Sequence, residues 1–230
     1  MEYTSYGDEG LGFSKYLSKC FLWMFLGLLL TFVTAAGFSF TGLLADLLLS
    51  FGTGFIMLFA VIEVVLVIAL AASLTKLSSG AAITMFMIYS IVNGITLSSI
   101  FYIYDLTSIA YVFLGSASVF GLMALVGYKT NLDLSRLGSF LTISLLITIL
   151  VGIVMMFAFN ETMYLIYNVF GVGLFMLITT YDIHVIKNMY HVASSDSHKE
   201  VIAIYGALQL YLDFINIFLR LLALFGRSRD

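Results

Sequence analysis

Seven long apolar runs, separated by short polar links, leave this chain few ways to fold. They cover roughly 20–41, 53–75, 81–103, 108–128, 138–159, 163–186 and 201–225. About 20 consecutive apolar residues cross the hydrocarbon core of a bilayer as a helix. Only helices and closed barrels satisfy every backbone polar group in lipid, and runs of this length predict helices. The expected fold is an all-α membrane protein of seven transmembrane helices. Composition agrees: 62% of the 230 residues are hydrophobic and 10% charged, against about a quarter charged in a soluble domain. Residues 1–19 read as a short cytoplasmic N-terminal segment and 20–230 as one transmembrane domain. The first apolar run is too long for the core of a signal peptide and is read as a retained span.

Basic residues set the expected orientation. With the N-terminus in the cytoplasm, Lys15, Lys19, Lys76, Lys129, Arg136, Lys187 and Lys199 all fall inside, and the outer links carry Asp46, Asp105 and Glu161. Arg227 and Arg229 break the rule. Either the last segment stops short of crossing, or the tail is an exception. Proline is absent, so bends must come from glycine, bulges or inserted side chains. The single cysteine, Cys20, excludes an internal disulfide.

The chemistry lies in ionisable residues at membrane depth, which are costly and kept facing the protein interior. Asp182 sits near the end of the sixth run and Asp213 in the middle of the seventh. Tyr205, Gln209, Asp213, Asn216 and Arg220 recur at spacings of 4, 4, 3 and 4, one face of a helix. Such a stripe is either hydrogen-bonding glue between helices or the lining of an ion or proton route. Counted from the inner ends of their runs, Asp182 is about 5 residues deep and Asp213 about 12, a mismatch of about 10 Å. Should the two meet, both cannot be ionised without a cation beside them, and they titrate as a pair. Lys76 is either that cation or an ordinary inside anchor. Glu63, within the second run, is either a cation-site carboxylate or a structural residue bonded to another helix. Asn93 is either helix glue or a ligand. His184, His191 and His198 recur every seven residues in a polar link and read as solvated rather than as a metal site. No cofactor motif, phosphate loop or nucleic-acid-binding patch is present in the sequence.

The closing stretch ALQLYLDFINIFLRLLALFG closely resembles the signature end of the Bax inhibitor-1 family (transmembrane Bax inhibitor motif proteins), its short bacterial members above all. TTYDIHVIK is similar to that family's sixth-helix motif, YKTNLDLSRLGSFL to its link between helices four and five, and NGITLSSIF to its third-helix motif. The resemblance implies six helices around a central seventh, and a calcium leak channel gated by pH. Asp182 and Asp213 stand at the positions of its paired-aspartate sensor, where calcium binds at most transiently, and Lys76 near that of a basic latch. The bacterial latch is arginine; lysine keeps the charge but loses the bidentate fork. Glu63 matches an acidic residue of the family's second helix. The proline that follows the third-helix motif is missing.

The ion pathway expected on this basis comprises Glu63, Gln209, Asp213 and Asn216. Calcium is then a permeant ion and no cofactor is expected. The expected partners are the lipid bilayer, calcium and a membrane protease, with no nucleic acid, in a monomer or weak oligomer. The expected location is a bacterial plasma membrane, or an organelle membrane in a eukaryote. The alternative is a non-conducting regulator of stress survival or of a membrane protease. An intramembrane aspartyl protease fits poorly, because the second aspartate lies in LYLD without the Gly-x-Gly-Asp motif of that class. A retinal protein fits no better, since the last run has no lysine.

Overall fold

The computed structural model describes residues 3–52, 54–72, 78–130, 132–155, 157–193 and 195–229. These form helices α1 (Tyr3–Phe40), α2 (Leu43–Phe51), α3 (Gly54–Ala72), α4 (Ser79–Leu97), α5 (Ile100–Ile103), α6 (Leu106–Lys129), α7 (Leu137–Met155), α8 (Glu161–Val192) and α9 (Asp196–Phe225). Among the described residues, six spans are long and apolar enough to cross a membrane, and a seventh if α2 and α3, which meet at 104°, count as one. The chain is an all-α, multi-pass membrane protein. Large apolar side chains stand exposed along α3 (Val61, Val64, Val65) and α7 (Leu146, Ile147, Leu150). In water such faces are a liability; in lipid they are the proper outer surface.

The breaks fall where a proline-free chain must put them. Gly42 and Gly52 bracket α2 with φ of 76° and 68°, a left-handed conformation that glycine adopts without a Cβ clash. The third apolar run breaks at two serines instead: Ser98 Oγ donates to the Ile95 carbonyl at 2.5 Å and Ser99 Oγ to that of Thr96 at 3.0 Å. Side-chain bonds of this kind compete with the helix ladder, so the helix is interrupted there without a proline. Several expected boundaries move, most of all the start of α1, at Tyr3 rather than 20. The fifth run is helical only to Met155, short of the expected end at 159, and α8 begins at Glu161 and runs past the membrane limit to Val192.

The contacts divide into two compact units. One holds residues up to Ile103 with Ile186–Tyr211 and Arg229. There α4 packs on α1 and α3, and Phe86 and Tyr89 meet Tyr211 edge-on, with ring centroids 5.7 Å apart in each case. The other holds Tyr104–Val185 with Leu212–Ser228. Its core sets Phe113 and Phe120 edge-on against Phe214 at 5.1 and 5.7 Å. Gly127 lets α6 approach the Thr180 carbonyl more closely than a Cβ would allow. Of the six spans, α9 is the most enclosed: 56% of its apolar window is buried, against 17% for α7. The sequence stripe therefore lies on a helix enclosed by protein.

The tail resolves the orientation anomaly in one respect. Asp105 N–H donates to the Arg227 carbonyl and Arg227 N–H to Ser108 Oγ, at 3.0 and 2.8 Å. The C-terminal residues are thus pinned beside the α5–α6 link, so α9 runs the full distance to that end.

Candidate functional site

Asp182 and Asp213 are both buried, at 7% and 3% exposure. The helix that carries Asp182 explains why. Thr179, Ile183 and Ile186 on the same face are fully enclosed, and residues three and four apart share a helix face, so Asp182 is carried inward. On α9 the neighbours Phe214 and Ile217 do the same for Asp213. Both carboxyls lie in the second unit, within electrostatic reach of one another. The hydroxyl of Thr179, one turn before Asp182, is the hydrogen-bonding neighbour of Asp213. That hydroxyl donates its own proton to the Phe175 carbonyl at 2.8 Å, so its oxygen is available as an acceptor. Asp213 Oδ2 is buried without a hydrogen-bond partner among the described residues. Such a group is best served by a proton or a cation.

The depth mismatch counted from sequence rests on the apolar edges of the two runs. Counting from the apolar edges assumed that both runs begin at one height, whereas each helix continues through the polar residues between 187 and 200. Lys76, the expected latch, lies outside the described residues.

Along the stripe of α9, Tyr205, Gln209 and Asn216 are half-buried and Asp213 and Arg220 buried. The Asn216 amide donates to the Leu212 carbonyl of its own helix at 2.9 Å, while Gln209 Oε1 has no hydrogen-bond partner among the described residues. Arg220 sits between two rings, its guanidinium carbon 4.5 Å from the centre of Tyr167 and 5.4 Å from that of Phe175.

Glu63 belongs to the first unit. Its Oε2 meets the Asn93 side-chain amide at 3.1 Å. Asn93 Oδ1 meets the Tyr211 hydroxyl at 2.9 Å, that hydroxyl meets Thr31 Oγ1 at 2.6 Å, and Thr31 meets the Ser90 carbonyl at 2.9 Å. Of the two readings of Glu63, the bond to another helix is present, and Asn93 serves as the link.

A family model described as "Inhibitor of apoptosis-promoting Bax1" matches residues 13–230. The chain belongs to the Bax inhibitor-1 family. It is 38% identical over 220 residues to the inner membrane protein YbhL of Escherichia coli K12, covering 95% of this chain and 94% of that one. A protein of Borreliella burgdorferi is 36% identical across 100% of this chain and 99% of its own length. The protein RP147 of Rickettsia prowazekii is 35% identical across 97% and 93%.

Within this Bax inhibitor-1 family member, the sequence alone missed Thr179, Thr31, Tyr211 and Tyr167. Tyr211 is two residues off the α9 stripe, so periodicity passes it over. Thr31 and Ser90 are ordinary small polar residues of apolar helices, and only their convergence makes them notable. Among the described residues no group of three or more His, Cys, Asp or Glu gathers as a metal site.

Proposed function

We propose that this family member is a pH-sensitive calcium leak channel whose gate is the buried Asp182–Asp213 pair. The supporting observation is that two carboxyls enclosed in one unit lie within electrostatic reach, with an unpartnered oxygen on Asp213. Two such groups hold one charge stably only if a proton or cation is shared between them. In this reading Lys76 is the basic latch, as the family resemblance implies. Loss of the shared proton changes the bond between latch and pair, and α8 and α9 repack. Calcium then moves down its gradient past Asp213 and Asn216. In this reading the N-terminus lies in the cytoplasm, which the distribution of lysine and arginine supports, and the pair responds to cytoplasmic pH.

The test is calcium flux into proteoliposomes from about pH 6 to 8, on both sides of neutrality. Wild type is compared with Asp182→Asn and Asp213→Asn. A pH-dependent flux that both substitutions reshape supports the channel. Flux equal to that of empty liposomes at every pH moves the reading to a non-conducting membrane regulator. One observation favours that second reading: Arg220, a buried cation on the same stripe two turns from Asp213, opposes the passage of calcium along it.

A further inference from the structure

Independently of the channel reading, the hydrogen-bonded chain that starts at Glu63 can be counted proton by proton. It joins four helices: Glu63 on α3, Asn93 and the Ser90 carbonyl on α4, Tyr211 on α9 and Thr31 on α1. All four distances lie within hydrogen-bond range, and the 2.6 Å contact between Tyr211 and Thr31 is tighter than usual for two hydroxyls. Each contact therefore needs a proton between its atoms.

The count starts at the end that cannot give one. The Ser90 carbonyl only accepts, so the Thr31 hydroxyl proton is spent there. The Tyr211–Thr31 contact must then use the tyrosine proton. With that proton committed, the contact between Tyr211 and Asn93 has to be supplied by Asn93, through its amide NH2. The oxygen and nitrogen of a side-chain amide are isosteric, and the network decides which faces which. Turning NH2 toward Tyr211 turns the Asn93 oxygen toward Glu63. Two oxygens now face each other at the 3.1 Å contact, and the missing proton can come only from the carboxyl of Glu63. The opposite polarity, with the amide donating to an ionised Glu63, leaves one contact of the chain without a proton. It would also leave a buried charged oxygen unsatisfied, since Glu63 Oε1 has no hydrogen-bond partner of its own among the described residues.

We infer that Glu63 is a proton-binding site, and that its proton sets the direction of the hydrogen-bond chain through Asn93, Tyr211 and Thr31 to α1. Binding or losing that one proton turns the Asn93 amide over and reverses the donor sense at Tyr211. The groups facing Glu63 are polar or weakly acidic: Asn93, the Thr96 hydroxyl and Tyr89 from α4, and Tyr211 from α9. From α2, which also packs on α3, the titratable group is Asp46 in its first turn.

The test uses the full chain in lipid nanodiscs, read by infrared spectroscopy at the C=O stretch of a protonated carboxyl. The expected result is a band at neutral pH that Glu63→Gln removes, while any band of the aspartate pair stays. The substitution acts equally in an Asp182→Asn/Asp213→Asn background, which separates it from the aspartate pair. Tyr211→Phe should shift the band, because Asn93 is released from its other partner. Glutamine carries its own N–H toward the Asn93 oxygen, so Glu63→Gln should fold with an unfolding midpoint matching wild type, where Glu63→Leu is lowered. A spectrum unchanged by Glu63→Gln overturns the inference. So does a glutamine variant that fails to fold or unfolds as early as the leucine one, because the amide supplies the very proton the chain requires.

Discussion

The guanidinium of Arg220 lies 4.5 Å over the ring of Tyr167, in a notch that exists because residue 171 is glycine. A Cβ at Gly171 would overlap the guanidinium itself. The group cannot retreat, because Phe175 closes the other side and two long bonds tether it to the Tyr167 carbonyl and hydroxyl, at 3.3 and 3.4 Å. Gly171→Ala should therefore destabilise by about 1–3 kcal/mol, the usual penalty of overpacking. Combined with Arg220→Met, whose thinner side chain clears the notch, the two losses should be clearly less than additive. Unfolding midpoints of the four proteins in detergent check this, and strict additivity would mean that the notch does not hold Arg220.

A second coupling joins α1 to α9. Thr31→Val keeps the shape of the residue but removes the hydroxyl that meets Tyr211 at 2.6 Å. Tyr211→Phe removes the other side of the same contact. Each change leaves a buried polar partner unsatisfied, worth about 1–3 kcal/mol. Once the first is lost, the second costs less, although Tyr211→Phe still gives up the contact with Asn93. A double-mutant cycle of unfolding free energies should give an interaction of about 0.5–3 kcal/mol, and a value near zero would disconnect α1 from the chain that ends at Glu63.

These two clusters show where sequence reasoning stops. The all-α, multi-pass character and the burial of the α9 stripe follow from apolar length and from the 4, 4, 3, 4 spacing, because each is a property of single segments. Asp182 and Asp213 are conspicuous for the same reason: a carboxylate in an apolar run stands out wherever it falls. The relation between segments is a different matter. The offset of Asp182 from Asp213 depends on how two helices slide past each other, and no count along either one fixes it. Tyr211 and Thr31 gain their importance from a convergence of four helices, and neither is unusual in its own run. The bend at Ser98 and Ser99 was equally hidden, since serine bends a helix only when its hydroxyl turns back on the carbonyl three residues earlier.

The link that pins the tail is a third place to test. Asp105 caps α6, accepting from the backbone N–H groups of Thr107 and Ser108 at 3.1 and 3.2 Å, while its own N–H holds the Arg227 carbonyl. Asp105→Ala should cost about 1 kcal/mol as a lost N-cap. It should also release the tail, because Ser108, which receives Arg227 N–H, is positioned by the same cap. Amide hydrogen exchange at Arg227 and Arg229 should speed up in the variant, and unchanged protection would show that the tail is held without the cap.

The last prediction supplies a control for the flux experiment. Asp133 lies outside the membrane, between α6 and α7, where Ser135 binds its carboxylate; the Ser135 backbone N–H donates at 3.0 Å. Those bonds, with His184 and Arg136 nearby, hold its carboxyl below the usual aspartate value, which is about 3.9. A carboxyl lowered by folding stabilises the fold at pH values above its unfolded value. That contribution disappears only as the pH falls through the lower, folded one. Asp133 is therefore ionised throughout the range of about pH 6 to 8 over which the flux is measured. Asp133→Asn should leave the pH profile of calcium flux superimposable on wild type, and an NMR titration should place the Asp133 transition below 3.9. A flux profile displaced by Asp133→Asn would mean that the α6–α7 link, and not the buried pair alone, sets the pH response.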